Sequence, residues 1–132
     1  MIIENALRAE LLLQAGLTAL VGTKIYYVNA PQDVEAPYIV FSKVSEVRGV
    51  SLDGTGGAVN ARVQFSIFAD TYYETKLIAA QIKTALHGKC QELIGGVGGV
   101  NVSIQYEDEV DLYGSDSLAF HCAADYFIQF NE

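Results

Sequence analysis

One stretch constrains the fold of this chain more than any other. From Val59 to Ala69 the residue types alternate: Val59, Ala61, Val63, Phe65, Ile67 and Ala69 fall on one side, and Asn60, Arg62, Gln64 and Ser66 on the other. A period of two matches the pleat of a β-strand and no helix. One apolar and one polar face mean a sheet packed on one side only, which is the antiparallel habit. The rest of the chain must then supply apolar cover for that single face.

Two segments have the spacing to do so. Ile3, Ala6, Leu7 and Leu11 recur at three and four residues, which predicts a helix from Ile3 to Gln14, with Gly16 as its stop and one more turn at Leu17 to Val21. Ile78, Ile82, Ala85 and Leu86 form a second stripe, with Lys76, Gln81, Lys83 and Thr84 outward. Asp70 or Thr71 caps that helix, Glu74 completes a capping box with Thr71, and Gly88 ends it.

Further strands are expected at Ile25 to Val28 and Tyr38 to Val47. Two more follow, at Val100 to Glu107 and Leu118 to Phe130. In the last of these Leu118, Phe120, Cys122, Ala124, Tyr126, Ile128 and Phe130 share a face. Between the second and third strands, Arg48 to Ala58 carries Gly49, Gly54, Gly56 and Gly57. That is too long for a tight hairpin and predicts a projecting arm. Glu107, Asp108, Glu109, Asp111 and Asp116 read as a solvated acidic loop. The result is an α+β fold: an antiparallel β-sheet with two α-helices on one face and a long glycine-rich β-arm, in a single domain over residues 1–132.

The bulk numbers agree with one domain. At 14.3 kDa the folded surface should be ~6,800 Å² against ~20,700 Å² unfolded, enough for a core without metal or disulfide staples. Hydrophobic residues make up 51% of the chain and the mean hydropathy is +0.23, so apolar surface should remain for a partner. A net charge of −8 with scattered basic residues argues against nucleic-acid binding through phosphates. The start has no basic n-region, no segment suits a membrane span, and Cys90 and Cys122 form no CxxC pair. A cytosolic chain with reduced thiols is the expectation.

No motif for chemistry stands out. His87, Cys90, His121 and Cys122 offer zinc-ligand types, but strand neighbours His121 and Cys122 point to opposite faces. A cysteine nucleophile with a histidine base lacks a third, orienting group. The acids lack the EF-hand order of ligands. Gly54-Thr55-Gly56-Gly57 and Gly96-Val97-Gly98-Gly99 match neither phosphate-loop pattern. Tyr26, Tyr27, Tyr72, Tyr73 and Tyr106 lack the basic interleaving that base stacking needs, so packing or protein contact is expected. The reading is no enzyme, no cofactor and no metal.

Four segments carry a resemblance. They are Leu17-Thr18-Ala19-Leu20-Val21-Gly22 leading to Ile25-Tyr26; Ala30-Pro31-Gln32 leading to Ala36-Pro37-Tyr38-Ile39-Val40-Phe41; Arg62 to Ala69; and Thr71-Tyr72 opening a helix that ends Ala85-Leu86-His87-Gly88. In that order they resemble the small tail-completion proteins of long-tailed bacteriophages and gene transfer agents, also called tail terminators or head–tail joining components. From Lys89 onward the likeness is mainly one of pattern. The resemblance implies a virion protein, assembled in the host bacterial cytoplasm. It implies a ring, usually hexameric, that caps the tail tube, stops its polymerisation and presents a surface to the head connector or stopper. DNA would pass through without specific binding.

Two expectations join that picture to residues. The arm Arg48, Gly49, Val50, Ser51, Leu52, Asp53, Gly54, Thr55, Gly56 and Gly57, with Leu93 to Gly99 as a second candidate, should contact neighbouring subunits or the tube. Glu107, Asp108, Glu109 and Asp111 are candidates to line an acidic lumen that repels DNA. A tube or connector-adapter subunit, or a small cytosolic enzyme or ligand-binding domain, are the alternatives.

Overall fold

The computed structural model describes residues 3–29, 35–50, 56–89, 92–94, 100–114 and 119–131. Helices α1 (Ile3–Leu12) and α2 (Ala15–Val21) lead into strands β1 (Ile25–Tyr27), β2 (Tyr38–Val50) and β3 (Gly56–Ala69). Helix α3 (Tyr72–Leu86) precedes β4 (Glu92–Ile94), β5 (Val100–Gly114) and β6 (Ala119–Asn131). The strands form one six-stranded sheet in the order β1-β2-β3-β6-β5-β4.

The alternation in β3 does what it predicts. Val59, Ala61, Val63, Phe65, Ile67 and Ala69 are all buried, while Asn60, Arg62, Gln64 and Ser66 are not. β3 lies at the centre, antiparallel to β2 on one side and to β6 on the other. On the buried face Phe65 stacks on Phe41 at 5.2 Å and meets Tyr126 edge-on at 5.5 Å. α1 covers this face with Ile3, Ala6, Leu7 and Leu11. α3 adds Ile78, Ala79, Ile82, Ala85 and Leu86. Each large side chain so buried contributes about 1.5–3 kcal/mol relative to exposure.

The α3 ends follow the sequence signals. The Thr71 hydroxyl accepts from the Glu74 N–H at 3.2 Å, and Gly88 adopts φ 85° just beyond the helix. The first helix departs from expectation. The chain breaks at Leu13-Gln14, and Gly16 lies inside α2 rather than stopping α1. There it packs close to α3: a Cβ at Gly16 would stand 2.5 Å from Oε1 at the end of the Gln81 side chain, which would have to shift. Glycine lets the two helices approach.

An antiparallel sheet throughout is also not what forms. β1 pairs parallel to β2, Ile25 opposite Ile39 and Tyr27 opposite Phe41. Parallel pairing means that β2 begins at the same end of the sheet as β1. Val28 makes the exit at φ 61°, where a β-branched residue is strained, and its N–H donates to the Phe41 carbonyl at 2.8 Å.

Strand pairing reaches into the segment read as an arm. β2 and β3 stay paired outward to Arg48–Val59 and Val50–Gly56. Residues 51–55 lie outside the described residues, as do Cys90, Asp116 and 95–99. The acidic run is no loop: Glu107 to Asp111 lie within β5. A bulge between Tyr106 and Asp108 keeps the strand going while changing which face each residue meets.

Candidate functional site: the helix-free face of the sheet

The face of the sheet away from the helices is built row by row from the strand register. Val47, Asn60, Gln129 and Ser103 form one row; Ser45, Arg62, Phe127 and Gln105 form the next. Further down come Ser42, Gln64, Asp125 and Asp108. At the far end Tyr38 stacks on Phe68 at 4.9 Å and Phe68 on His121 at 4.3 Å. The surface is mostly small, polar and uncharged, with Phe127 standing 45% exposed among amides.

A groove of about 540 Å³ opens on this face toward the β5 side. Its floor includes Asn60, Ser103, Gln105, Phe127 and Gln129, and His87 to Lys89 form a wall. That wall is held by a backbone pair beyond α3. The Gly88 N–H donates to the Ile104 carbonyl at 3.2 Å, and the Ile104 N–H to the Lys89 carbonyl at 2.9 Å.

The bulge in β5 divides the acidic run between the two faces. Glu109 and Asp111 turn to the helix side, opposite Ala124 and Cys122. There the Lys76 ammonium donates to both, at 2.9 Å to Glu109, and the Tyr72 hydroxyl donates to Asp111 at 2.9 Å. Asp111 and Glu109 hold the Lys76 ammonium above its usual range, and Lys76 lowers Asp111 in turn. Burial pushes the Cys122 thiol between them up to about 12. Glu107 and Asp108 belong with the helix-free face. Glu107 lies 3.3 Å from the Arg62 guanidinium, which also donates to Asp125 at 2.9 Å. Those contacts raise Arg62, Asp125 first.

Among the described residues, the zinc-type side chains His87, His121 and Cys122 do not come together. His87 accepts the Tyr106 N–H on Nδ1 at 3.1 Å at the end of α3. His121 lies in the aromatic stack on the helix-free face, while Cys122 is buried beneath the helices. A different trio converges instead: ligand atoms of Glu109, Asp111 and Cys122 lie within 4.8 Å of one another. Sequence reasoning missed it, because the bulge that turns the acids inward leaves no trace in residue type. Lys76 already supplies the cation that this trio would attract.

The tyrosines divide in the same way. Tyr126 is buried and packs edge-on against Tyr106 at 5.6 Å, and the Lys83 ammonium lies 4.3 Å above the Tyr106 ring. The Tyr27 hydroxyl donates to Asn5 at 2.9 Å. Tyr73 projects from the start of α3, 71% exposed.

Taken together, a sheet covered on one face, a central hairpin and a polar open face define a small α+β domain. Solved structures share this fold. A chain of the virion of a native gene transfer agent particle superposes with a TM-score of 0.76 at 19% identity, over 98% of this chain and 95% of that one. A second solved chain matches with a TM-score of 0.62 at 14% identity, over 100% of this chain and 97% of its own. No curated protein matches in sequence. The model of the tail completion protein gp17 family matches residues 5–128. The chain belongs to that family, and is therefore a structural protein of the virion tail.

Proposed function

We propose that this protein caps the tail tube. It ends tube polymerisation and offers the joining surface to the head connector or stopper, as a ring of identical copies, six in the usual case. The observation that carries the reading is the family match over residues 5–128. The geometry is compatible with it. β1 covers only Ile39 to Phe41 of β2, so from Ser42 outward that edge has no second strand among the described residues. An edge strand and a hairpin beside it are means of self-association. A head-to-tail contact repeated about an axis closes a ring.

Electron microscopy of tails assembled with and without the protein tests the reading. Its absence should give overlong tails without heads; tails of normal length would overturn it. Deleting Val50 to Gly57 should abolish capping while the monomer still folds. The candidate lumen acids form two separate sets. Glu107 and Asp108 lie with the helix-free face, whereas Glu109 and Asp111 are engaged by Lys76. Reversing the first pair to Lys should slow DNA passage more than reversing the second. The opposite order would exclude the helix-free face as the lumen wall. Long filaments from the pure protein would favour a tube subunit instead.

A further inference from the structure

We infer that the outer half of β5, from Glu107 onward, has a second register against β6, slipped by one residue, and that Lys76 is the latch holding the present one. The inference stands apart from the capping and ring readings above.

The motive is a conflict between residue type and face. Along β5, Val100, Val102, Ile104, Tyr106, Val110 and Leu112 all fall at even positions. Asn101, Ser103, Gln105, Glu107, Glu109 and Asp111 fall at odd ones. From Val100 to Leu112 the alternation has one exception, Asp108. Such a pattern asks for an uninterrupted ladder. The inner half obeys it: Val102 and Ile104 are buried opposite Phe130 and Ile128. The bulge between Tyr106 and Asp108 then inverts the rule. Glu109 and Asp111 take covered-face positions opposite Ala124 and Cys122, while Val110 stands 47% exposed on the helix-free face. A segment whose local pattern disagrees with its tertiary placement is one where two arrangements lie close in energy.

Continuing the inner ladder without the bulge defines the second arrangement. Glu107 then lies opposite Asp125, Asp108 opposite Ala124 and Val110 opposite Cys122. Val110 enters the covered face, and Glu109 and Asp111 join Glu107 on the other. The residue released from the bulge passes into the connection to β6. Arg62 does not choose between the two, because Asp125 and Glu107 keep to its face in both.

The groups that do choose lie on the helix side. The Lys76 ammonium donates to Glu109 at 2.9 Å and to Asp111, and the Tyr72 hydroxyl donates to Asp111 at 2.9 Å. At the bulge itself the Glu109 N–H donates to Asp108 Oδ1 at 2.8 Å. The slip ends these contacts and leaves Lys76 one acid, Asp108, at the place Glu109 holds now. Tyr72 and Lys76 both belong to the first turns of α3. Drawing that end of the helix off β5 therefore turns two acids over to the helix-free face.

The native Cys122 reports the register. It is buried on the covered face, opposite Asp111 now and opposite Val110 after the slip. In a Cys90→Ser background at low protein concentration, Val110→Cys should form an intrachain disulfide with Cys122, read by mass spectrometry. Adding Lys76→Met should speed its formation about tenfold. Leu112→Cys should not react, since a diagonal cross-strand neighbour lies about 7–8 Å away. Deleting Glu107 closes the bulge while keeping the present outer pairing, so Val110→Cys should no longer react in that chain. NMR of Lys76→Met with both native cysteines dispenses with engineered thiols. Cross-strand contacts from Val110 to Cys122 should appear beside those to Ala123. Val110→Cys that stays reduced in Lys76→Met would overturn the inference, as would contacts to Ala123 alone. Leu112→Cys reacting as fast, or Val110→Cys reacting equally after the deletion, would also overturn it, because opening of the strand would then bring the thiols together. An equal rate with and without Lys76→Met would refute the latch.

Discussion

The two faces of the one sheet follow opposite rules. On the covered face, Phe41, Phe65 and Tyr126 interlock beneath α1 and α3, and their neighbours are aliphatic. On the helix-free face, an aromatic ring of similar size, Phe127, stands among amides, serines and one paired arginine. The same strands contribute to both. What separates them is the parity of the residue and whether a helix lies over it. The covered face holds the monomer together. The helix-free face adds the Tyr38–Phe68–His121 stack and the Arg62 pairs to that task and leaves Phe127 half exposed.

The comparison breaks most sharply at Phe65. It is fully buried and touches rings on two neighbouring strands. Phe65→Ala should cost about 3–5 kcal/mol, seen as a shifted midpoint in urea unfolding. A cost below about 1 kcal/mol would mean that the core rearranges freely around the site.

Lys76 tests the polar margin of the covered face. Its ammonium holds Glu109 and Asp111 over the buried Cys122. Lys76→Met should lower the melting temperature by roughly 5 °C at neutral pH. The pH dependence fixes the cause. Asp111 is lowered from 3.8 by Lys76 and then Tyr72, so its contribution is complete above that range and fades as pH falls through the lowered value. Lys76 is raised from 10.5, so its share is complete below that value and lost only at higher pH. Wild type and variant should therefore converge as pH falls through the lowered value of Asp111. A constant difference down to pH 2 would assign the loss to packing of the lysine stem.

Much of this division is legible in the sequence, and the reasons for the rest are physical. The alternation in β3 and β6 marks the covered face because burial selects for apolar type at every second position. Thr71 with Glu74, and Gly88, mark the ends of α3 because capping is local. The parallel β1 is not legible: Ile25 to Tyr27 is too short to show a pattern, and its partner is chosen by where the loop returns. Nor is the bulge after Tyr106. Read without it, Glu107 to Asp111 look like a loop, since a strand with acids toward the helices would make no sense. Lys76 and Arg62, each far along the chain, make sense of it, and only the tertiary fold brings them there. The groove follows from the same limit, since its wall is the backbone pair of Gly88 and Lys89 with Ile104.

Tyr126 is a flaw in the covered face. Its ring is fully buried, and its hydroxyl has no hydrogen-bond partner among the described residues. Burial, with Tyr106 and Glu109 nearby adding to it, drives its ionisation above the usual range. An unpaired buried hydroxyl costs about 1–3 kcal/mol, so Tyr126→Phe should gain about 1 kcal/mol in denaturant unfolding. A loss of stability would mean that the hydroxyl has a partner in the folded protein.

The smallest expected effect on folding lies at Phe127. Removing a half-exposed ring opens no cavity, so Phe127→Ala should change stability by less than about 0.5 kcal/mol. The same substitution should weaken self-association, measured by sedimentation, by far more than it weakens the fold. Phe65 and Phe127 then form a pair of like residues on strands that neighbour each other, one acting through folding and the other through assembly. If Phe127→Ala costs as much as Phe65→Ala, the helix-free face is packed in the monomer itself, and the distinction between the two faces fails.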